Sequence, residues 1–289
     1  MSKVKWVILF LLSVLWGCND GGNAPTVISA TGDVEPSLTA FRELLGEPNN
    51  GGTPGSQPSG RREINWDGVP DDQAAPNFLP PDFFNDSAEP RARGVFLDTR
   101  GDGVQVSADS DNPDGAAVRF GNINPAYANG FEAFSPERLF SPIGSNVVDL
   151  TFFVPGTDEP AVVTGFGAVY TDVDREGSSF EFFDRNGESL GRFGVPANDN
   201  GLSFLGIAFP TPVVARVQIV YGTTALGPEE STEVDVAVMD DFFYGEPCHC
   251  LSLKTTEPLN PGLHTDSANR KDGLVSQRAV FHFLFLTRN

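Results

Sequence analysis

Residues 179–195 read SFEFFDRNGESLGRFGV. Phe180 and Phe182 alternate with less apolar neighbours in Ser179–Phe183, and a second short segment follows at Ser189–Val195. Between them stands Asp184-Arg185-Asn186-Gly187, whose Asn-Gly step tolerates the positive φ of a tight hairpin. The stretch therefore predicts two antiparallel strands joined by a short turn.

The same grammar extends outward in both directions. Candidate strands are Gly94–Asp98, Val104–Ala108, Ala117–Phe120, Val147–Val154, Val162–Val173, Leu202–Phe209, Val214–Tyr221 and Val234–Tyr244. Alternation with period two is clear in Val217-Gln218-Ile219-Val220 and in Val234-Asp235-Val236-Ala237-Val238. No long stretch has helical periodicity. Short strands punctuated by 31 Gly and 23 Pro predict an all-β fold, an antiparallel β-sandwich that is jelly-roll-like.

The chain has 289 residues, 39% hydrophobic and 20% charged, enough for one sizeable core. Asp and Glu outnumber Lys and Arg 39 to 19, for a formal net charge of -20. Such a chain cannot neutralise a phosphate backbone, which excludes nucleic acid as a partner.

At the N-terminus, Lys3 and Lys5 precede an apolar run from Trp6 to Trp16. That run is shorter than the roughly 20 residues a spanning helix needs and fits a secretory signal. It ends in Leu15-Trp16-Gly17-Cys18, which resembles the bacterial lipobox, although Trp16 stands where a small residue is usual. The resemblance implies cleavage before Cys18, acylation of that residue and anchorage in the cell envelope; in a diderm host, Asn19 implies export to the outer membrane. Four regions follow: a lipoprotein signal peptide at 1–17, a tether at 18–60, a β-sandwich domain at 61–247, and a poorly ordered tail of different character at 248–289. Within the tether, Phe41, Leu44 and Leu45 with Gly46 behind them predict one short helix.

Between Asn19 and Pro247 there is neither His nor Lys. Nucleophilic hydrolysis then lacks its usual base, and zinc or copper their usual imidazoles. In the tail, Cys248-His249-Cys250 leaves one residue between the thiols, where paired zinc ligands usually have two. What remains is carboxylate. Asp172, Asp174 and Glu176 alternate before Gly177 as oxygen ligands do in calcium loops. Asp109, Asp111 and Asp114 form a second acidic run, and Asp240 with Asp241 a third, so calcium (Ca2+) is the expected cofactor. Sugar rings stack on exposed aromatic faces, and the candidates for that contact are Trp66, Tyr127 and Tyr170.

Gly165-Phe166-Gly167-Ala168-Val169-Tyr170-Thr171-Asp172-Val173-Asp174, Phe182–Gly187, Leu202–Gly206 and Met239-Asp240-Asp241-Phe242 together resemble a group of exported bacterial β-sandwich domains. Such domains often occur with surface-sorting tails or lipid anchors, and many resemble carbohydrate-binding jelly rolls. The resemblance implies no catalytic residues. The expected function is non-catalytic binding of an extracellular ligand, with a glycan as the expected class, by a lipid-anchored envelope protein. The alternatives are a structural or adhesive protein that binds another surface protein, and a carboxylate-based glycoside hydrolase.

Overall fold

The computed structural model describes residues 24–249 apart from 228–230 and 232. The expected signal peptide, Cys18 and the tail from residue 250 onward lie outside the described residues. The strands are β1 (Thr26–Thr31), β2 (Arg61–Ile64), β3 (Val95–Thr99), β4 (Gly103–Val106), β5 (Phe140–Ile143), β6 (Val147–Phe152) and β7 (Ala161–Val162), followed by β8 (Gly165–Val173), β9 (Ser179–Phe183), β10 (Ser189–Gly194), β11 (Asn198–Ala208), β12 (Arg216–Val220), β13 (Val238–Gly245) and β14 (Cys248–His249). A seven-stranded sheet has the order β1-β11-β8-β13-β5-β4, with β2 also paired to β13. A five-stranded sheet has the order β10-β9-β12-β6-β3. All their ladders are antiparallel, and the two sheets share one core. Phe166 of β8 meets Phe180 of β9 across it at 5.1 Å, and Tyr170 meets Tyr221 at 5.7 Å.

The hairpin forms where the Asn-Gly step predicts it. Asp184 accepts the Asn186 and Glu188 N–H groups on its side chain, and Gly187 turns the chain with φ 80°. Ala117–Phe120 does not form a strand. Arg119 and Phe120 both have left-handed φ there, which breaks an extended run and drops Phe120 into a small cluster with Tyr127, Phe131 and Leu139.

β8 is buried along its whole length because both its faces are covered. The outer face meets α1 (Glu35–Leu45), which starts with a proline in its first turn and ends at Gly46. Leu38, Phe41 and Leu45 are buried there against Val169, Phe204 and Phe243, whereas Leu44 is exposed. Gly167 of β8 and Gly206 of β11 are paired across the ladder. A Cβ at either would lie 2.7 Å from the Phe41 ring, so the two glycines form the socket for that ring.

The region expected to be a tether is therefore part of the domain from Thr26 onward. β1 adds an edge to the large sheet, pairing Thr26 with Ala208. The Gly- and Pro-rich segment after α1 is held by Arg62, which is fully buried. Arg62 forms a two-pronged ion pair with Glu246 and donates to the carbonyls of Gly51, Thr53, Gly55 and Ala92. Turn residues that look like a linker in sequence are ordered because one guanidinium satisfies their carbonyls. At the other end the body passes Pro247, since Cys248 and His249 pair with Val162 and Ala161.

Three substitutions test this packing in chemical denaturation. Phe41→Ala lowers stability by about 3–5 kcal/mol, and Gly206→Ala lowers it by about 1–3 kcal/mol by crowding the same ring. Arg62→Ala leaves the Glu246 carboxylate buried without its partner and lowers stability by about 3–5 kcal/mol.

Candidate functional site

The acidic site is built by an irregularity in the β8–β11 ladder. Val173 pairs with Asn198 and Thr171 with Leu202, so β11 carries two extra residues across this interval. The surplus pushes Asp199 and Asn200 out of the ladder, and Asn200 takes a left-handed φ of 54°. Opposite them Asp172 is also left-handed, with φ 65°, and its Oδ1 accepts the Asn200 N–H at 2.8 Å. In a regular strand Asp172 and Asp174 would share one face while Asp199 stayed in its own register. Here one carboxylate oxygen each from Asp172, Asp174 and Asp199 lies within 4.8 Å of the others. This triad can hold a metal ion.

Its electrostatics are unbalanced. Asp172 is 2% exposed, and burial raises its carboxyl from 3.8 to about 6, with the charges of Asp174, Asp199 and Asp235 adding to the rise and the Asn200 N–H opposing it. Burial likewise raises Asp174, reinforced by Asp199. Behind them Asp235 is fully buried: its Oδ1 accepts the Asp174 N–H at 3.2 Å, while its Oδ2 has no hydrogen-bond partner among the described residues. Oδ1 of Asp174 is buried and equally without a partner. Like charges at this spacing are tolerated only if some are protonated or a cation joins them.

The structure brings together Asp172 and Asp174 as the sequence predicts, but not Glu176, which is exposed and outside the triad. Asp199 replaces it. No spacing rule finds Asp199, because a ladder irregularity between distant strands delivers it.

The second acidic run does not gather. Asp111 and Asp114 are exposed, and Asp109 is paired at 2.6 Å with the buried Arg138 guanidinium, which also binds Asp71 at 2.5 Å. A cation is already in place there.

Asp240 and Asp241 form a separate constellation. β13 carries one extra residue at this point, since Met239 pairs with Tyr170 but Phe242 with Ala168. Oδ2 of Asp240 accepts the N–H groups of Phe134 and Ser135. The Ser135 Oγ lies 3.0 Å from Asp240, 3.2 Å from Asp241 and 3.0 Å from Asp67. One hydroxyl carries one proton and cannot serve three carboxylates, so a further proton must be shared. Burial, then the adjacent Asp240 and finally Asp67 push Asp241 from 3.8 up to about 8, with Ser135 opposing.

The aromatic residues expected to contact sugar are core residues. Trp66 is fully buried, stacked at 4.3 Å on Phe140, with its indole N–H donating to the Asp240 carbonyl at 2.9 Å. Tyr170 is also fully buried and donates its hydroxyl to the Val220 carbonyl at 3.0 Å. Tyr127 is 3% exposed, packs on Phe131 and accepts the Gly227 N–H at 3.0 Å. Each polar tip is satisfied inside, which is why large amphipathic rings can be withdrawn from the surface.

Asp241 makes stability depend on pH with a definite sign. Folded, it keeps its proton to about pH 8, whereas unfolded it loses it near 3.8, so the folded chain binds more protons between these values. Stability contributed by this group falls as pH rises from 4 to 8. In Asp241→Asn the neutral amide replaces the protonated acid, and thermal melts across that range should show a flatter profile than the native chain.

No known protein family matches this chain, and no curated protein matches it. Among solved structures it is similar to the enzymatically active domain of tailspike protein 4 of bacteriophage CBA120, at 14% identity and a TM-score of 0.26. The match covers 58% of this chain and 20% of that one, so this chain spans about a fifth of the tailspike chain's length. A TM-score of 0.26 does not establish a common fold.

Proposed function

We propose that the chain is an exported protein, lipid-anchored at Cys18 to the cell envelope, whose β-sandwich holds calcium at Asp172, Asp174 and Asp199 and binds an extracellular glycan without catalysis. In a diderm host the anchor lies in the outer membrane. The observation that carries the reading is the convergence of three carboxylates, one of them buried, with an unpartnered oxygen on Asp174 and another on Asp235 beside it. An all-oxygen, all-carboxylate donor set suits a hard divalent cation, and calcium accepts the irregular geometry that loop and ladder residues offer. A cation there would fasten the β11 irregularity to β8 and fix the loop shape on which ligand selection depends.

The N-terminal sequence supports export and anchorage, and no described helix is long and apolar enough to cross a membrane. Non-catalytic binding is favoured because His and Lys are absent between Asn19 and Pro247. The raised carboxyl of Asp241 is 6% exposed and engaged by Asp240 and Ser135, so it lacks the access that a glycosidase acid requires. A glycan is the favoured ligand class because the sequence resembles exported sandwich domains of carbohydrate-binding type.

Thermal unfolding with excess calcium and with a chelator tests the site. Calcium at about a hundred times its dissociation constant adds roughly 2.7 kcal/mol of stability. Asp199→Asn, an exposed position, should abolish the shift while leaving the chelated melt no lower than that of the native chain, and Glu176→Gln should retain the shift. Superimposable melts of the native chain in calcium and chelator would overturn the calcium reading.

A further inference from the structure

A groove of about 460 Å³ opens between the short turns Trp66–Gly68, Asp71–Gln73 and Phe83–Asn85 and the segment 90–93. That volume is in the range of about 300–1,000 Å³ typical of small-molecule sites. Its lining includes Gln73, Phe83, Phe84, Arg91 and Arg93, with the exposed Asp72 also on its wall. Arg91 lies 5.1 Å over the Phe83 ring and is ion-paired with Asp86. Arg93 differs. Its Nη1 donates to the Glu63 carbonyl, its guanidinium lies 6.0 Å over Phe84, and its buried Nε has no acceptor among the described residues.

No carboxylate pairs with Arg93 among the described residues, although the chain has 39 acidic groups. Glu63, the carboxylate whose charge reaches Arg93, is paired with Arg42 and Arg61, and Glu246 is paired with Arg62. Burial lowers the Arg93 pKa and the neighbouring Arg62 adds to the fall, while Tyr244 and Glu63 oppose it only in part. A partly buried guanidinium left unpaired is destabilising, and an anion presented from the groove would relieve it. The net charge of -20 opposes a polyanion, so the matching ligand carries its charge singly.

We infer that this groove binds a sugar acid, a one- or two-ring glycan segment with a single carboxylate, in which Arg93 receives the carboxylate and Gln73 faces the sugar hydroxyls. This deepens the glycan reading above and rests on it.

The test titrates the folded chain with an aldobiouronic acid (one glucuronate linked to one neutral sugar), with its methyl ester, and with the corresponding neutral disaccharide. Calorimetry should show binding of the acid at least tenfold tighter than of the ester or neutral sugar, and Arg93→Gln should remove that preference. Equal binding of acid and ester, or a preference unchanged in Arg93→Gln, would overturn the sugar-acid inference while leaving the glycan reading intact. Absence of binding by all three sugars would overturn the inference, and a broader panel of neutral glycans would then decide the parent reading. Should Arg93→Gln fail to fold, the contrast between acid and ester on the native chain decides alone.

Discussion

The extra residue that β13 carries at Asp240-Asp241 is the joint on which the large sheet turns. Ahead of it, β13 pairs with β5 through Met239 and Phe140; behind it, the partner is β2, from Phe242–Ile64 onward. A bulge re-aims side chains and sharpens local twist. It also gives the Asp240 carbonyl to the Trp66 indole and the Asp240 carboxylate to the backbone of Phe134 and Ser135. Asp67, one residue beyond Trp66, accepts the N–H groups of Glu137 and Arg138 from the other side of the same loop. One irregular residue pair thus fixes the turn after β2, the loop before β5 and the aromatic cluster beneath them.

The β8–β11 irregularity works by the same geometry but with a different electrostatic outcome. A regular ladder sends successive side chains to opposite faces and has no means of bringing acids from neighbouring strands to one point. Both irregularities gather carboxylates. At Asp240 the backbone supplies N–H donors and Ser135 a hydroxyl, so the charge is answered from within the protein once a proton is shared. At Asp172 a single backbone N–H is donated, and oxygens of Asp174 and Asp235 have no partner among the described residues. The contrast separates an acidic cluster that closes the fold from one that looks outward for its counter-charge.

Much of the fold is legible in residue patterns. The strand runs around Phe180 and Phe182, Val217 and Ile219, and Phe166 to Tyr170 are where alternation or continuous apolar sequence places them, because burial on one face or two determines those patterns. Phe41 and Gly46 mark the helix, but its seat is not legible, since Gly167 and Gly206 lie within strand runs whose pattern does not point to the Phe41 ring that packs on them. Arg62 is similarly hidden: its five donors organise a segment whose own residues indicate a linker. Two of the three acidic-site residues, Asp172 and Asp174, are visible. Asp199 is not, and neither is the burial of Trp66, because aromatic residue type is compatible with both a sugar platform and a core.

β13 lies in the interior of the seven-stranded sheet yet is nearly the last strand along the described chain, and its partners include β2 near the beginning. Arg62 and Glu246, which lock this pairing, are 184 positions apart. Folds dominated by such distant pairings form slowly, because loop closure precedes any stabilising contact. A chain formed from its N-terminus would therefore hold β2, β5 and β8 without their common neighbour until β13 was made. Late completion of the sheet makes the docking of β13 between β8, β5 and β2 the event that closes the fold.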